Sequence, residues 1–218
     1  MKSLVVLFDL DGTLTDPRAG IVRCLRYAFD KLGAACPPDE VLASFIGPLR
    51  GTLATLLGTA DTDRIERALV VYREEYGATG LFENHVYDGV DQMLAEVGLT
   101  ASASFVATAK PKPYADRIVH RLGLARYFAD VYGPEMGGRL GDKGDLLAHL
   151  LATEEISAER AVMIGDRAAD IVAARANRLR SIGVLWGYGA KSELVDAGAD
   201  GICRSRSELA SCLSRIAR

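Results

Sequence analysis

Two aspartates stand two residues apart in the run Phe8-Asp9-Leu10-Asp11-Gly12-Thr13-Leu14-Thr15-Asp16, directly after a short apolar stretch. In a chain that is still extended, residues i and i+2 point the same way, so both carboxylates are offered to one spot. Such a pair suits group transfer at phosphorus. One carboxylate attacks while the other, protonated, donates to the leaving oxygen and later takes a proton from water. Gly12 leaves the backbone free to turn and to present amide hydrogens to a phosphate. A lone Asp-x-Asp more often just ends a strand in a turn; the full run sets this one apart.

A second acidic pair follows the apolar run Ala161-Val162-Met163-Ile164-Gly165, at Asp166 and Asp170. Carboxylates gathered around a phosphate repel it and one another, so they call for a hard cation, and oxygen ligands with room for water and phosphate suit Mg2+. Asp166 is expected to bind that ion. Asp170 is either a further ligand or an acidic residue placed in a first helical turn by the helix dipole. Thr108 ends the run Phe105-Val106-Ala107-Thr108, where its hydroxyl and the backbone amide of Ala109 can bind a phosphate oxygen, although a strand threonine is also an ordinary structural residue. Lys143 opens a helical pattern at a position where its charge opposes the dipole, which suggests another task. There it would neutralise phosphoryl oxygens and hold a nearby carboxylate ionised.

The elements that must carry these groups alternate. Leu4 to Phe8 reads as a strand buried on both faces, and similar runs recur at 103–108, 161–165, 181–186 and, more weakly, 200–203, separated by helical patterns such as 113–122 and 170–179. This predicts an α/β fold with a doubly wound parallel sheet. Gly123 and Gly183 are read as loop punctuation, and Ala101 to Ser104 as a loop of small residues. From Asp16 to about Glu83 the period turns helical, which predicts an inserted α-helical cap. Asp16-Pro17 suits an N-cap with proline at the first helical position, followed by an apolar face of Ile21, Leu25, Phe29 and Leu32 up to Gly33. A second helix carries Ile65, Leu69, Tyr72 and Tyr76 and ends at Gly77. The expected division is 1–15 with 84–218 as the catalytic core and 16–83 as a cap above the carboxyl end of the sheet, where open α/β folds place ligands.

The formal charge of -3, from 26 basic and 29 acidic residues, provides no broad basic field for a nucleic acid polymer or an anionic membrane. The expected partner is a small molecule, and the expected assembly a monomer or weak homodimer. Cys24, Cys36, Cys203 and Cys212 lack metal or redox spacing and are read as reduced and structural. With no signal-like or membrane-length apolar run, a cytoplasmic location is expected. His85, His120 and His149 are isolated and read as structural or surface residues.

Phe8 to Asp16 resembles the first signature of the haloacid dehalogenase superfamily, in particular its phosphatases, and further motifs match over nearly the whole chain. The resemblance implies that Asp9 is the nucleophile, that Asp11 is the general acid/base with its carbonyl a metal ligand, and that Asp166 and Asp170 complete the metal site. It places Thr108 in the second motif and Lys143 in the third, with Lys110, of Lys110-Pro111, ranked second for the lysine role. Phe45 to Arg50 resembles the specificity loop of helical-cap phosphatases, so Arg50 would meet a substrate carboxylate or second phosphate. The likeness is closest to the phosphoglycolate phosphatase-like group, which implies a Mg2+-dependent phosphatase acting on phosphoglycolate, a nucleotide or a similar small monoester through an aspartyl phosphate. A dehalogenase has no need of Asp11, since halide leaves without a proton. A phosphomutase acting on a sugar phosphate keeps the same first pair and stays open. A phospho-receiver module is disfavoured by the insertion and by Asp11. Asn177-Arg178-Leu179 departs from the small Ala-Gly pair usual at that point.

Overall fold

A computed structural model describes residues 4–44 and 49–216. Along the chain run β1 (Leu4–Phe8), β2 (Thr15–Asp16), α1 (Arg18–Lys31), α2 (Asp39–Ser44), α3 (Leu49–Leu57), α4 (Thr62–Ala78), β3 (His85–Val86), α5 (Val90–Gly98), β4 (Ala101–Ala107), α6 (Lys112–Arg121), β5 (Val131–Tyr132), α7 (Lys143–Thr153), β6 (Ala161–Gly165), α8 (Ala168–Ala176), β7 (Arg180–Val184), α9 (Lys191–Asp196), β8 (Gly201–Cys203) and α10 (Leu209–Ile216). The chain divides into two compact units, Met1–Thr15 with Val86–Arg218, and Asp16–His85.

The larger unit is built on a six-stranded sheet of order β5-β4-β1-β6-β7-β8 whose paired strands are all parallel. The apolar runs form strands because both faces are covered. Val5, Leu7, Phe105, Ala107, Ala161 and Met163 enter one core with Leu146, Leu147 and Leu150 of α7 and Ala173 and Ala174 of α8. The alternate residues Val6, Phe8, Val106, Val162 and Ile164 are equally buried. The chain winds from β1 to β4 on one side and later to β6 on the other, so β1 lies at the switch point where the strand ends diverge.

Several expectations need correction. Ala101 to Ser104 is no loop: it begins β4, pairing Leu4 with Ala101 and Val5 with Ala103 around a local irregularity at which the Ser102 hydroxyl donates to the Leu4 carbonyl at 3.0 Å. Backbone pairing with the central strand decides its state, and small side chains do not oppose it. Gly183 lies inside β7, paired with Gly165 and Ile202, where a Cβ would crowd Leu194. Two-residue β5 carries too few positions to show a period. Cys36 is exposed, whereas the other three cysteines are buried and all four are free thiols.

In the Asp16–His85 unit, α1 begins at Arg18, one residue later than Asp16-Pro17 suggests, and the Asp16 carboxylate accepts from the Arg18 amide at 2.9 Å. Its buried face is Gly20, Cys24, Leu25, Ala28 and Phe29, while Ile21 and Leu32 are only half-buried. The second helix buries the expected residues but runs one residue past Gly77. Two shorter helices, α2 and α3, accompany them, so the described residues of this unit form four helices. Among the described residues, no helix is long and apolar enough to cross a membrane.

Arg178, in the segment that departs from Ala-Gly, has a φ of 60° and is exposed. A side chain in the left-handed region costs about 1–2 kcal/mol, and glycine returns part of that gain through unfolded-state entropy. Arg178→Gly is therefore expected to stabilise the fold by about 0.5 kcal/mol. A higher urea midpoint at unchanged slope would show it, and a lower midpoint would mean that the arginine side chain contributes more than its backbone strain costs.

Candidate active site

β1 ends at Phe8, and the Asp9 amide still bonds to the Ile164 carbonyl of β6 at 2.9 Å, so Asp9 leaves the sheet at a fixed position. Gly12 then turns the chain with a φ of 87°, and its amide bonds to the Thr15 carbonyl at 2.8 Å. No other residue fits there, since a Cβ on Gly12 would collide with the Asp166 carboxylate. β6 delivers Asp166 beside this turn, and α8 starts next to it with Asp170 in its first turn.

Asp9, Asp166 and Asp170 are all buried, and one carboxylate oxygen from each lies within 4.8 Å of the others. Lys143, at the first position of α7, sits between two of them, its Nζ 2.8 Å from Asp9 Oδ1 and in contact with Asp170. Lys110 Nζ instead lies 2.7 Å from Asp11 Oδ2. Each lysine therefore serves a different aspartate. Thr108, 1% exposed, follows β4 at the same sheet end, and its hydroxyl accepts from the Lys110 amide at 3.2 Å.

Burial dominates the electrostatics. It pushes the Asp166 carboxyl up to about 7, helped by the charge of Asp9 and opposed by the Tyr188 amide. Burial also raises Asp11, against the pull of Lys110. For Lys143 burial favours the neutral amine, but the charges of Asp170 and Asp9 outweigh it and hold the ammonium.

This donor set fits a hard divalent cation. Asp11 Oδ1 is buried without a hydrogen bond among the described residues, and the buried Asp9 Oδ1 has the Lys143 ammonium 2.8 Å away. Three buried carboxylates that share a single lysine between two of them leave negative charge that a hard cation would offset. Asp170 has both oxygens engaged, one facing Lys143 and the other accepting from the Arg167 amide at 3.0 Å, a helix-start bond. Asp170 is thus the acidic residue of a first helical turn, and it also lies in the acidic cluster.

Arg50 lies at the start of α3, exposed and ion-paired with Glu66 of α4. Most of the segment from Phe45 to Arg50 lies outside the described residues. Sequence reasoning missed the segment after β7. The Trp186 indole donates to the Thr13 carbonyl at 2.9 Å, and the Tyr188 amide donates to Asp166 Oδ2 at 2.7 Å. A Cβ on Gly187 would collide with both Asp166 and the Gly12 carbonyl. The available signal was a tryptophan at the end of the apolar run 181–186, followed by glycines at alternate positions.

The model of the family described as haloacid dehalogenase-like hydrolase matches residues 6–184. The chain belongs to this family. Among the relatives of this haloacid dehalogenase-like hydrolase, a 5'-nucleotidase of Pseudomonas aeruginosa is 40% identical over 191 residues, covering 87% of this chain and 86% of that protein. Tyrosine-protein kinase PtkA of Mycobacterium tuberculosis is 36% identical over 192 residues, covering 88% of this chain and 65% of its own. The crystal structure of a predicted phosphatase from Clostridium acetobutylicum superposes with a TM-score of 0.92 at 35% identity, covering 99% of this chain and 100% of that one. The fold is thus that of a haloacid dehalogenase-like core, and the family is one of hydrolases with phosphatase-named members.

Proposed function

We propose that this protein hydrolyses a small organic phosphate monoester, with nucleoside monophosphates ranked first and phosphoglycolate next, through an aspartyl phosphate on Asp9. The observation that carries the reading is the buried contact of Asp9 with Lys143, beside the carboxylates of Asp166 and Asp170. The identity to a protein named 5'-nucleotidase supports the substrate ranking.

Asp9 attacks phosphorus in line, forming its own bond to phosphorus as the ester P–O bond breaks. Asp11, protonated, gives its proton to the leaving alcohol oxygen; its burial favours that protonated form. In the second step water attacks phosphorus and gives a proton to Asp11, the bond between Asp9 and phosphorus breaks, and inorganic phosphate leaves with the Asp9 carboxylate restored. The Thr108 hydroxyl and Ala109 amide hold one phosphoryl oxygen, Gly12 serves by turning the backbone while its own amide stays on the Thr15 carbonyl, and the Lys143 ammonium balances the charge that builds on the phosphoryl group. Mg2+ would be held by Asp9, Asp166 and the Asp11 carbonyl, with Asp170 at its edge, and would neutralise phosphoryl charge as a Lewis acid. Arg50 is a candidate contact for a second anionic group of the substrate.

The test is phosphate release from nucleoside monophosphates, phosphoglycolate, sugar phosphates and p-nitrophenyl phosphate. Release should occur with Mg2+ and drop to background in EDTA. Mg2+ at about 100 times its dissociation constant should also stabilise the folded protein by about 2.7 kcal/mol. A thermal midpoint indifferent to Mg2+ would count against the metal site. The relative named a tyrosine-protein kinase favours one second reading, in which Asp9 passes its phosphoryl group to an acceptor hydroxyl rather than to water. Phosphate appearing on a tyrosine peptide incubated with ATP, in place of free phosphate, would establish it.

A further inference from the structure

Trp186 is the only tryptophan of the chain. Its indole N–H holds the Thr13 carbonyl at 2.9 Å, and two residues later the Tyr188 amide holds Asp166. The same short segment therefore tethers the turn after Asp11 and the carboxylate that faces it. With no room for a Cβ at Gly187, the spacing between the two tethers is fixed. The tryptophan ring is itself clamped. The Arg206 guanidinium carbon lies 5.6 Å from the Trp186 ring centroid and 5.5 Å from that of Tyr87. The Tyr87 amide bonds to the Leu14 carbonyl at 3.1 Å, next to the carbonyl that Trp186 holds. One cation thus sits against two rings whose residues are bonded to adjacent carbonyls of the same turn. From that turn, the Thr13 hydroxyl reaches Asp166 Oδ1 at 3.4 Å.

We propose that Trp186, seated by Arg206 and Tyr87, is a positioning residue that fixes the Gly12–Leu14 backbone and, through Thr13 and Tyr188, the orientation of Asp166 toward Asp9. The effect on rate rests on the proposed function, because it presupposes that Asp9 and Asp166 act together; the effect on the acidic cluster does not. Positioning of this kind has leverage because a displacement of about 1 Å can cost a factor on the order of 100 in rate.

The test is Trp186→Phe, which keeps a ring for Arg206 and removes the N–H. The expected kcat on p-nitrophenyl phosphate falls by about tenfold or more with KM within about twofold, the split expected of lost alignment rather than lost binding. Calorimetric titration should show Mg2+ bound about three to ten times more weakly, a readout independent of turnover. A folded Trp186→Phe protein with kcat and Mg2+ affinity both within about twofold of the parent would overturn the proposal. Should that variant not fold, Arg206 decides: Arg206→Met should lower kcat by about threefold or more and Arg206→Lys recover it, because the cation on the rings is what seats the indole. Equal rates for Met, Lys and the parent would overturn the proposal as well. In the parent protein, saturating Mg2+ should shift the fluorescence of Trp186, and calorimetrically detected binding without any shift contradicts the coupling. If the parent binds Mg2+ with that shift yet releases phosphate from no ester, the proposed function fails and the positioning of the acidic cluster stands.

Discussion

Asp9→Asn should abolish turnover, by a factor on the order of 10^4 or more, while the protein stays folded. The amide has nearly the shape of the carboxylate but cannot form the aspartyl phosphate. Nothing in the fold depends on the lost charge: the backbone amide of residue 9 keeps its bond to Ile164, and Lys143 keeps Asp170 as a partner. The change also removes one of three mutually repelling buried carboxylates, and the charge of Asp9 is one of the causes that raise Asp166. The metal-free variant is therefore expected to melt at or above the parent's temperature, and its gain from Mg2+ to shrink below the parent's, since one ligand charge is gone. Assay and melting curve together separate a chemical role from a structural one. An active Asp9→Asn protein ends the nucleophile assignment, and an unfolded one would mean that Asp9 is needed for the fold itself.

The strands that carry the acidic groups were legible because they are buried on both faces. Leu4–Phe8 and Ala161–Gly165 are apolar without interruption, and each ends where a carboxylate appears, so sequence alone delimits both strand and site. Ala101–Ser104 was not legible, since its strand state comes from pairing with β1 and small residues carry no period. The same holds for Val131–Tyr132, an edge strand of two residues. In the helical unit, the burial of Ile65, Leu69, Tyr72 and Tyr76 followed from spacing on a long helix, whereas α2 and α3 are too short to repeat a pattern convincingly. Residue types suggested that a lysine should stand by the aspartates, but Lys110 follows the end of β4 and Lys143 opens α7, and only distances show that one meets Asp11 and the other Asp9. The tether from Tyr188 was invisible for another reason. A backbone amide donor has no residue type to mark it.

Lys143→Met separates the two lysines most sharply. The ammonium is nearly inaccessible and is in contact with both Asp9 and Asp170. Methionine fills a similar volume, so the loss is of charge and not of packing. Breaking a buried pair in this way leaves its carboxylates uncompensated and costs about 3–5 kcal/mol of stability, read as a lowered urea midpoint in EDTA. Mg2+ should recover part of that midpoint, because a cation beside Asp9 and Asp166 supplies some of the missing positive charge. Activity should not return with it. The ammonium balances phosphoryl charge from a fixed place opposite the acidic ligands, and removing such a group lowers kcat by a factor on the order of 10^2 to 10^3. Lys110→Met gives the contrast. Its partner is Asp11, so its loss should act through the proton transfer, raising the pH at which Asp11 gives up its proton, since the charge of Lys110 opposes the upward push of burial. A Lys143→Met protein with full turnover in Mg2+, beside an inactive Lys110→Met protein, would exchange the roles assigned to the two lysines and remove the charge balance on which attack by Asp9 depends.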